Sequence, residues 1–156
     1  MNNNMIQILS AVAGSFGFAL LFNVRGPRVV FTAVSGLVSW GAYIIFSRYL
    51  ELDDFVSYIL ASALLTLFSE IMARLQKAPA AIFLVIGMIP LLPGGSLYRT
   101  LHYAVASNWA SFAKTGVYTL MLAMAIALGI ITMMSVIKTL MVSKTAIRHF
   151  VQDIRK

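Results

Sequence analysis

Between Lys114 and Lys138 the chain runs for 23 residues, Thr115–Ile137, without a charged side chain. A helix of that length outreaches the ~30 Å hydrocarbon core of a bilayer. Four other segments have similar reach. They are Met5–Phe22 inside the uncharged run Met1–Val24, the 19 uncharged residues Val29–Ser47, Phe55–Ala73 (uncharged until Glu70), and Pro79–Tyr98. Only 11% of the residues are charged and mean hydropathy is +0.89. A soluble domain of this length carries about 25% charged residues. The expectation is an all-α integral membrane protein with five transmembrane helices, residues 1–137, followed by a basic tail, residues 138–156.

The same inventory excludes other classes. The chain has no cysteine, two histidines and five acidic residues. That leaves no disulfide or thiol chemistry, and no His-x-x-x-His or cysteine cluster to hold a metal. The net charge of +7 does not point to nucleic acid, because its cations sit in short connections and the tail. No Lys or Arg precedes Ser10, and too few apolar residues precede Ala11-Val12-Ala13 for a signal peptide. The first segment therefore reads as a retained membrane helix.

The fourth segment is unusual. Ala78–Tyr98 spans 21 residues without a charge, yet Pro90, Pro93, Gly94 and Gly95 interrupt it. A break at membrane depth strands backbone N–H and C=O groups, and survives only where it is buried in protein or lines a wet cavity. Transporters use such discontinuous helices, with half-helix N-termini aimed at anionic groups of the solute.

Charge bias orients the chain. Arg25, Arg28, Arg74, Lys77 and the tail residues Lys138, Lys144, Arg148, Arg155 and Lys156 put nine cations on one side. The other side has Arg48, Arg99 and Lys114, with the acidic cluster Glu51, Asp53 and Asp54. The positive-inside rule then places the N-terminus outside and the C-terminus in the cytoplasm. Were the broken segment not to span, the split would be six to six, so five spans account for the charges better than four. The tail can form a basic amphipathic helix with Leu140, Ile147, Phe150, Val151 and Ile154 on one face. Such a helix suits the anionic leaflet, or else a docking partner.

Two groups are candidates for chemistry. After the break, Ser96 is placed to cap a new helix running to about Asn108. The free N–H groups of that helix suit a carboxylate, with Arg99 one turn on as a cationic partner and Gly94 and Gly95 allowing close approach. The alternative is a kink that serves the fold alone. The second group is Glu70, the one acidic residue inside an apolar segment, which is a functional candidate by default. Arg74 lies four residues on, so the pair reads either as a proton or cation coupling site or as a local ion pair. Gly94-Gly95-Ser96, with His102 nearby, is only a weak match to a hydrolase nucleophile, and no constellation for catalysis is evident. Small residues at helical spacing, such as Ser35 and Ser39, and Ala125 and Gly129, predict close helix approach. Ser57, Ser62, Thr66 and Ser69 suit packing, cross-helix bonds or a polar path.

Three blocks then resemble the threonine/serine exporter family. They are Gly17-Phe18-Ala19-x-x-Phe22-Asn23, Ser69-Glu70-x-x-Ala73-Arg74-x-x-Lys77-Ala78-Pro79, and Pro90-Leu91-x-Pro93-Gly94-Gly95-x-x-Tyr98. The likeness covers roughly residues 17–127 and is nearest to the short subunit of the split, two-subunit type. It implies a multi-pass protein of a bacterial inner (plasma) membrane, without cofactor, that exports threonine and serine or a dicarboxylate such as succinate. It also implies a partner: a larger subunit with a cytoplasmic N-terminal region and a five-helix membrane half of opposite orientation. The implied substrate-binding residues are Pro93, Gly94, Gly95, Ser96, Tyr98 and Arg99, with Glu70 and Arg74 as a coupling or structural ion pair. The lack of Gly-x-x-x-x-Gly-Lys favours an ion gradient as the energy source. The competing reading is a membrane scaffold or assembly subunit whose partner holds the substrate site.

Overall fold

The structure, a computed structural model, describes residues 3–154, with side chains described for residues 4–141. Every regular element among these residues is helical: α1 (Asn3–Leu21), α2 (Arg28–Ile44, extended by a π turn Ile45–Tyr49), α3 (Asp54–Gln76), α4 (Ala80–Met88, ending in a 3-10 turn Ile89–Leu91), α5 (Gly94–Val105) and α6 (Trp109–Ile154). Four stretches are long and apolar enough to cross a membrane: Asn4–Leu21, Arg28–Tyr49, Asp54–Gln76 and Trp109–Met141. The pair α4–α5 qualifies as a fifth when taken together, with a bend of 56°. The broken segment is thus two half-helices.

Contact register shows that this pair carries the chain from one end of the bundle to the other. Near its start, α6 places Tyr118 on Asp54, the first residue of α3. In its middle, Gly129 lies against Ile59 and Ser62. Further on, Leu140 and Met141 meet Glu70 and Arg74 near the end of α3. Helices α3 and α6 therefore run parallel. The chain leaves α3 at one end and enters α6 at the other, and α4–α5 is the connection. The helix ends are tied locally. Arg48 at the end of α2 bonds to Asn4 on α1, and the Arg28 guanidinium donates to the Gln76 carbonyl at 3.3 Å.

Packing rests on small residues. A Cβ added at Gly36 would strike Ser15, one at Gly87 would strike Leu65 and Ser35, and one at Gly129 would strike Ser62 and the backbone of Ile59. These are the close approaches expected of small-residue interfaces in lipid. Ala61, Leu65, Leu91, Leu122, Ala125 and Ile126 form the core where α3, α6 and the break meet. Of the buried hydroxyls of α3, Thr66 donates to the Ser62 carbonyl at 2.7 Å and Ser69 to that of Leu65 at 2.8 Å, both along the helix, while Ser57 donates to the Leu52 carbonyl just before it at 3.4 Å. None of these three bonds crosses to another helix.

Two boundaries differ from the sequence reading. Ser96 does not cap α5: Pro93 holds that position (φ −75°, ψ 55°) with no side-chain cap, and Ser96 becomes the third helical residue. The proline, with its φ already near the helical value, lets Gly94 start the helix. The helix also ends earlier, at Val105. Beyond residue 137, α6 continues unbroken to Ile154. Of the apolar face expected of the tail, Leu140 is exposed, and Ile147, Phe150, Val151 and Ile154 have side chains outside those described.

Candidate functional site

The break does not open onto the lipid-facing surface alone. A cavity of about 280 Å³ lies beside it, walled by Leu92–Ser96 and Arg99 from the break and α5, Trp40 and Tyr43 from α2, Asp54 and Tyr58 from α3, and Tyr118 and Leu122 from α6. This lies just below the range for drug-sized ligand sites, ~300–1,000 Å³. It sits level with the first turn of α3, nearer one end of that helix than its middle.

One wall favours anions. Helix geometry leaves the first N–H groups of α5 without intrahelical acceptors. The Gly94 N–H turns back onto the Leu92 carbonyl at 2.7 Å, and the Leu97 N–H reaches the Pro93 carbonyl at 2.9 Å. The Gly95 and Ser96 N–H groups between them have no acceptor among the described residues. Neither Gly94 nor Gly95 has positive φ, and a Cβ at either would meet nothing within 4 Å. Packing and backbone conformation thus give no reason for glycine here, whereas they do at Gly129. What the two glycines keep is bare backbone on a cavity wall, next to the exposed Arg99.

The α3 side of the lining carries a carboxylate held by phenols. The Tyr43 hydroxyl donates to Asp54 Oδ1 at 3.0 Å, and the Tyr118 hydroxyl to Oδ2 at 2.6 Å. Asp54 reaches this position because Asp53 takes the cap of α3, accepting from the Phe55 N–H at 3.0 Å. Aromatic rings frame the carboxylate: Trp40 and Tyr43 lie 4.9 Å apart by ring centroids, and Tyr43 and Tyr58 4.8 Å. The Trp40 indole N–H is buried with no acceptor, alone in this among the buried side-chain polar atoms of the described residues.

Of the residues expected from sequence, Pro93, Gly94, Gly95, Ser96 and Arg99 come together on the cavity. Tyr98 does not line it; it is 72% exposed and stacks on His102. Glu70 and Arg74 form an ion pair at 3.8 Å near the other end of α3, beside a separate cavity of about 270 Å³. Glu70 lies sixteen positions beyond Asp54 on α3, roughly 24 Å at the helical rise. Asp54, Tyr43, Tyr58, Tyr118 and Trp40 escaped the sequence reading. Asp54 sits within an acidic connection, and the tyrosines that find it are 11 and 64 residues away.

The sequence model of the family described as Threonine/Serine exporter, ThrE, matches residues 7–136, which includes every residue of the cavity. No curated protein and no solved structure matches the chain.

Proposed function

The chain belongs to the threonine/serine exporter family, and from that premise we propose that it is the membrane subunit of a secondary exporter for small carboxylate-bearing solutes. Membership makes it a multi-pass membrane protein of an amino-acid export family. The solute carboxylate binds the Gly95 and Ser96 N–H groups at the start of α5, with Arg99 as its cationic partner. Threonine, serine and a dicarboxylate such as succinate all present that group. The observation that carries the reading is the uncapped first turn of α5, bared by two glycines that packing does not require, on the wall of a cavity shared with α2, α3 and α6.

The rest of the reading follows from the family and the charges. A larger partner subunit, with a cytoplasmic region and a five-helix half, faces this one across the solute path, and rocking of the two halves alternates access. The N-terminus lies outside a bacterial inner membrane, and residues 138–156 form a cytoplasmic tail after the five-helix unit. That orientation puts Arg25, Arg28, Arg74 and Lys77 on the cytoplasmic side. Glu70 and Arg74 act as an ion pair at that end. No step of chemistry is assigned, and the protein works as a carrier.

The test is export from cells lacking their own exporters and loaded with a threonine-containing dipeptide or with succinate. The chain is expressed alone, with its partner, and the partner alone. Efflux only from the pair supports a two-half transporter. In that pair, a Gly94→Leu/Gly95→Leu variant that still assembles is expected to lose export, and full export by it refutes the site. Loss confined to variants of the partner, with assembly intact, would make this chain a scaffold.

A further inference from the structure

We propose that Asp54, with its aromatic surround, is an ammonium subsite that makes the cavity select α-amino acids over dicarboxylates. This rests on the reading of the cavity as the solute site and adds to it the group that decides which carboxylates enter.

The cavity is electrically two-sided. The α5 N-terminus and Arg99 favour an anion, while Asp54 at the start of α3 favours a cation. The only ion pair among the described residues is Glu70–Arg74, so no cation lies within 4 Å of Asp54. Its protein partners are two neutral hydroxyls, one on each oxygen. Each carboxylate oxygen has room for a second donor, and Asp54 is only half-buried, so an incoming group can reach it. The rings around it add to the same preference. Trp40, Tyr43, Tyr58 and Tyr118 line the space beside the carboxylate, and the faces of Trp and Tyr attract ammonium groups.

An α-amino acid carries its ammonium and carboxylate on one carbon, and so meets both walls of a cavity this small. A dicarboxylate satisfies the α5 wall but brings its second carboxylate towards Asp54, a like-charge approach in a region of low dielectric.

The experiment uses membrane vesicles from cells expressing the assembled transporter. Counterflow of labelled L-threonine is inhibited by four unlabelled probes. They are L-threonine, 2,3-dihydroxybutyrate (the ammonium replaced by hydroxyl), L-threoninol (the carboxylate removed) and succinate. In the wild type, dihydroxybutyrate and succinate are expected to compete at least tenfold more weakly than threonine. Asp54→Asn should weaken threonine by tenfold or more and bring it level with dihydroxybutyrate. Asp54→Glu should restore part of the discrimination.

Equal competition by all carboxylates in the wild type overturns the proposal whether or not any variant folds. Asp54→Asn that keeps the threonine preference, while Gly95→Leu abolishes binding, also overturns it but leaves the cavity as the solute site. If neither variant changes binding, the cavity reading itself fails; wild-type vesicles that show no threonine counterflow overturn the amino-acid preference and leave the cavity to a dicarboxylate.

Discussion

Alanine at Gly129 tests the contact on which the whole cavity depends, the parallel packing of α3 against α6. A Cβ built there lies 3.1 Å from the Ile59 carbonyl carbon, with that carbonyl's oxygen and Ser62 Oγ closer still. Carbon atoms rest at about 3.5–4.0 Å, so the helices must part by roughly 1 Å, because a helix backbone cannot swing aside as a side chain does. Overpacking of this kind costs about 1–3 kcal/mol. The same substitution gains about 0.5–1 kcal/mol from the helix preference of alanine. Gly41→Ala and Gly129→Ala share that gain. At Gly41 a Cβ meets nothing within 4 Å, so only the gain remains. The expected order of unfolding midpoints, measured on purified protein in one detergent, is Gly41→Ala at or above wild type and Gly129→Ala clearly below it. Because α6 carries Tyr118 to Asp54, Gly129→Ala should also weaken threonine competition. Equal midpoints for the two variants would refute the close approach, and with it the register that defines the site.

Two further variants separate the cavity from its surroundings. Tyr118→Phe removes a 2.6 Å bond to a carboxylate, of a kind worth about 1.5–3 kcal/mol, and should lower threonine affinity severalfold while the protein still assembles, as followed by vesicle counterflow and size-exclusion chromatography. Glu70→Gln should leave threonine affinity within about twofold and the unfolding midpoint nearly unchanged, since partly exposed ion pairs contribute about 0–1 kcal/mol; a lost pH dependence of export would instead give Glu70 a coupling role.

What was legible in the sequence was whatever depends on near neighbours along the chain. Uncharged runs mark the spans because a bilayer sums over consecutive residues. The Glu70–Arg74 pair lies on one helix, one turn apart. The break announced itself through prolines and glycines within six residues. Asp54 was hidden because its meaning comes from afar. Locally it is one of three acids in a connection, and only the cap at Asp53 places it on the first turn of α3, where Tyr43 and Tyr118 reach it. Tyr98 misled for the converse reason. It adjoins Arg99 in sequence, but neighbours in a helix point about 100° apart, and only Arg99 lines the cavity.

The break itself shows why the fold and the site are inseparable. Prolines at 90 and 93 bring no N–H group, and the turn supplies acceptors for Leu92 (the carbonyls of Met88 and Ile89, both at 3.2 Å) and for Gly94. The Gly95 and Ser96 N–H groups are what remains, and facing hydrocarbon each would cost several kcal/mol. Opening onto a cavity with polar walls removes that cost and at the same time exposes them to a solute. Gly95→Ala then separates the two roles. Its methyl group meets no neighbour and its backbone is already helical, so the fold should hold or gain slightly in unfolding midpoint. The same methyl group stands on the wall that receives the carboxylate, so threonine competition should weaken severalfold and recover with glycine. A variant that loses stability yet binds threonine as before would show that glycine serves the kink, and the carboxylate would have to be sought elsewhere in the bundle.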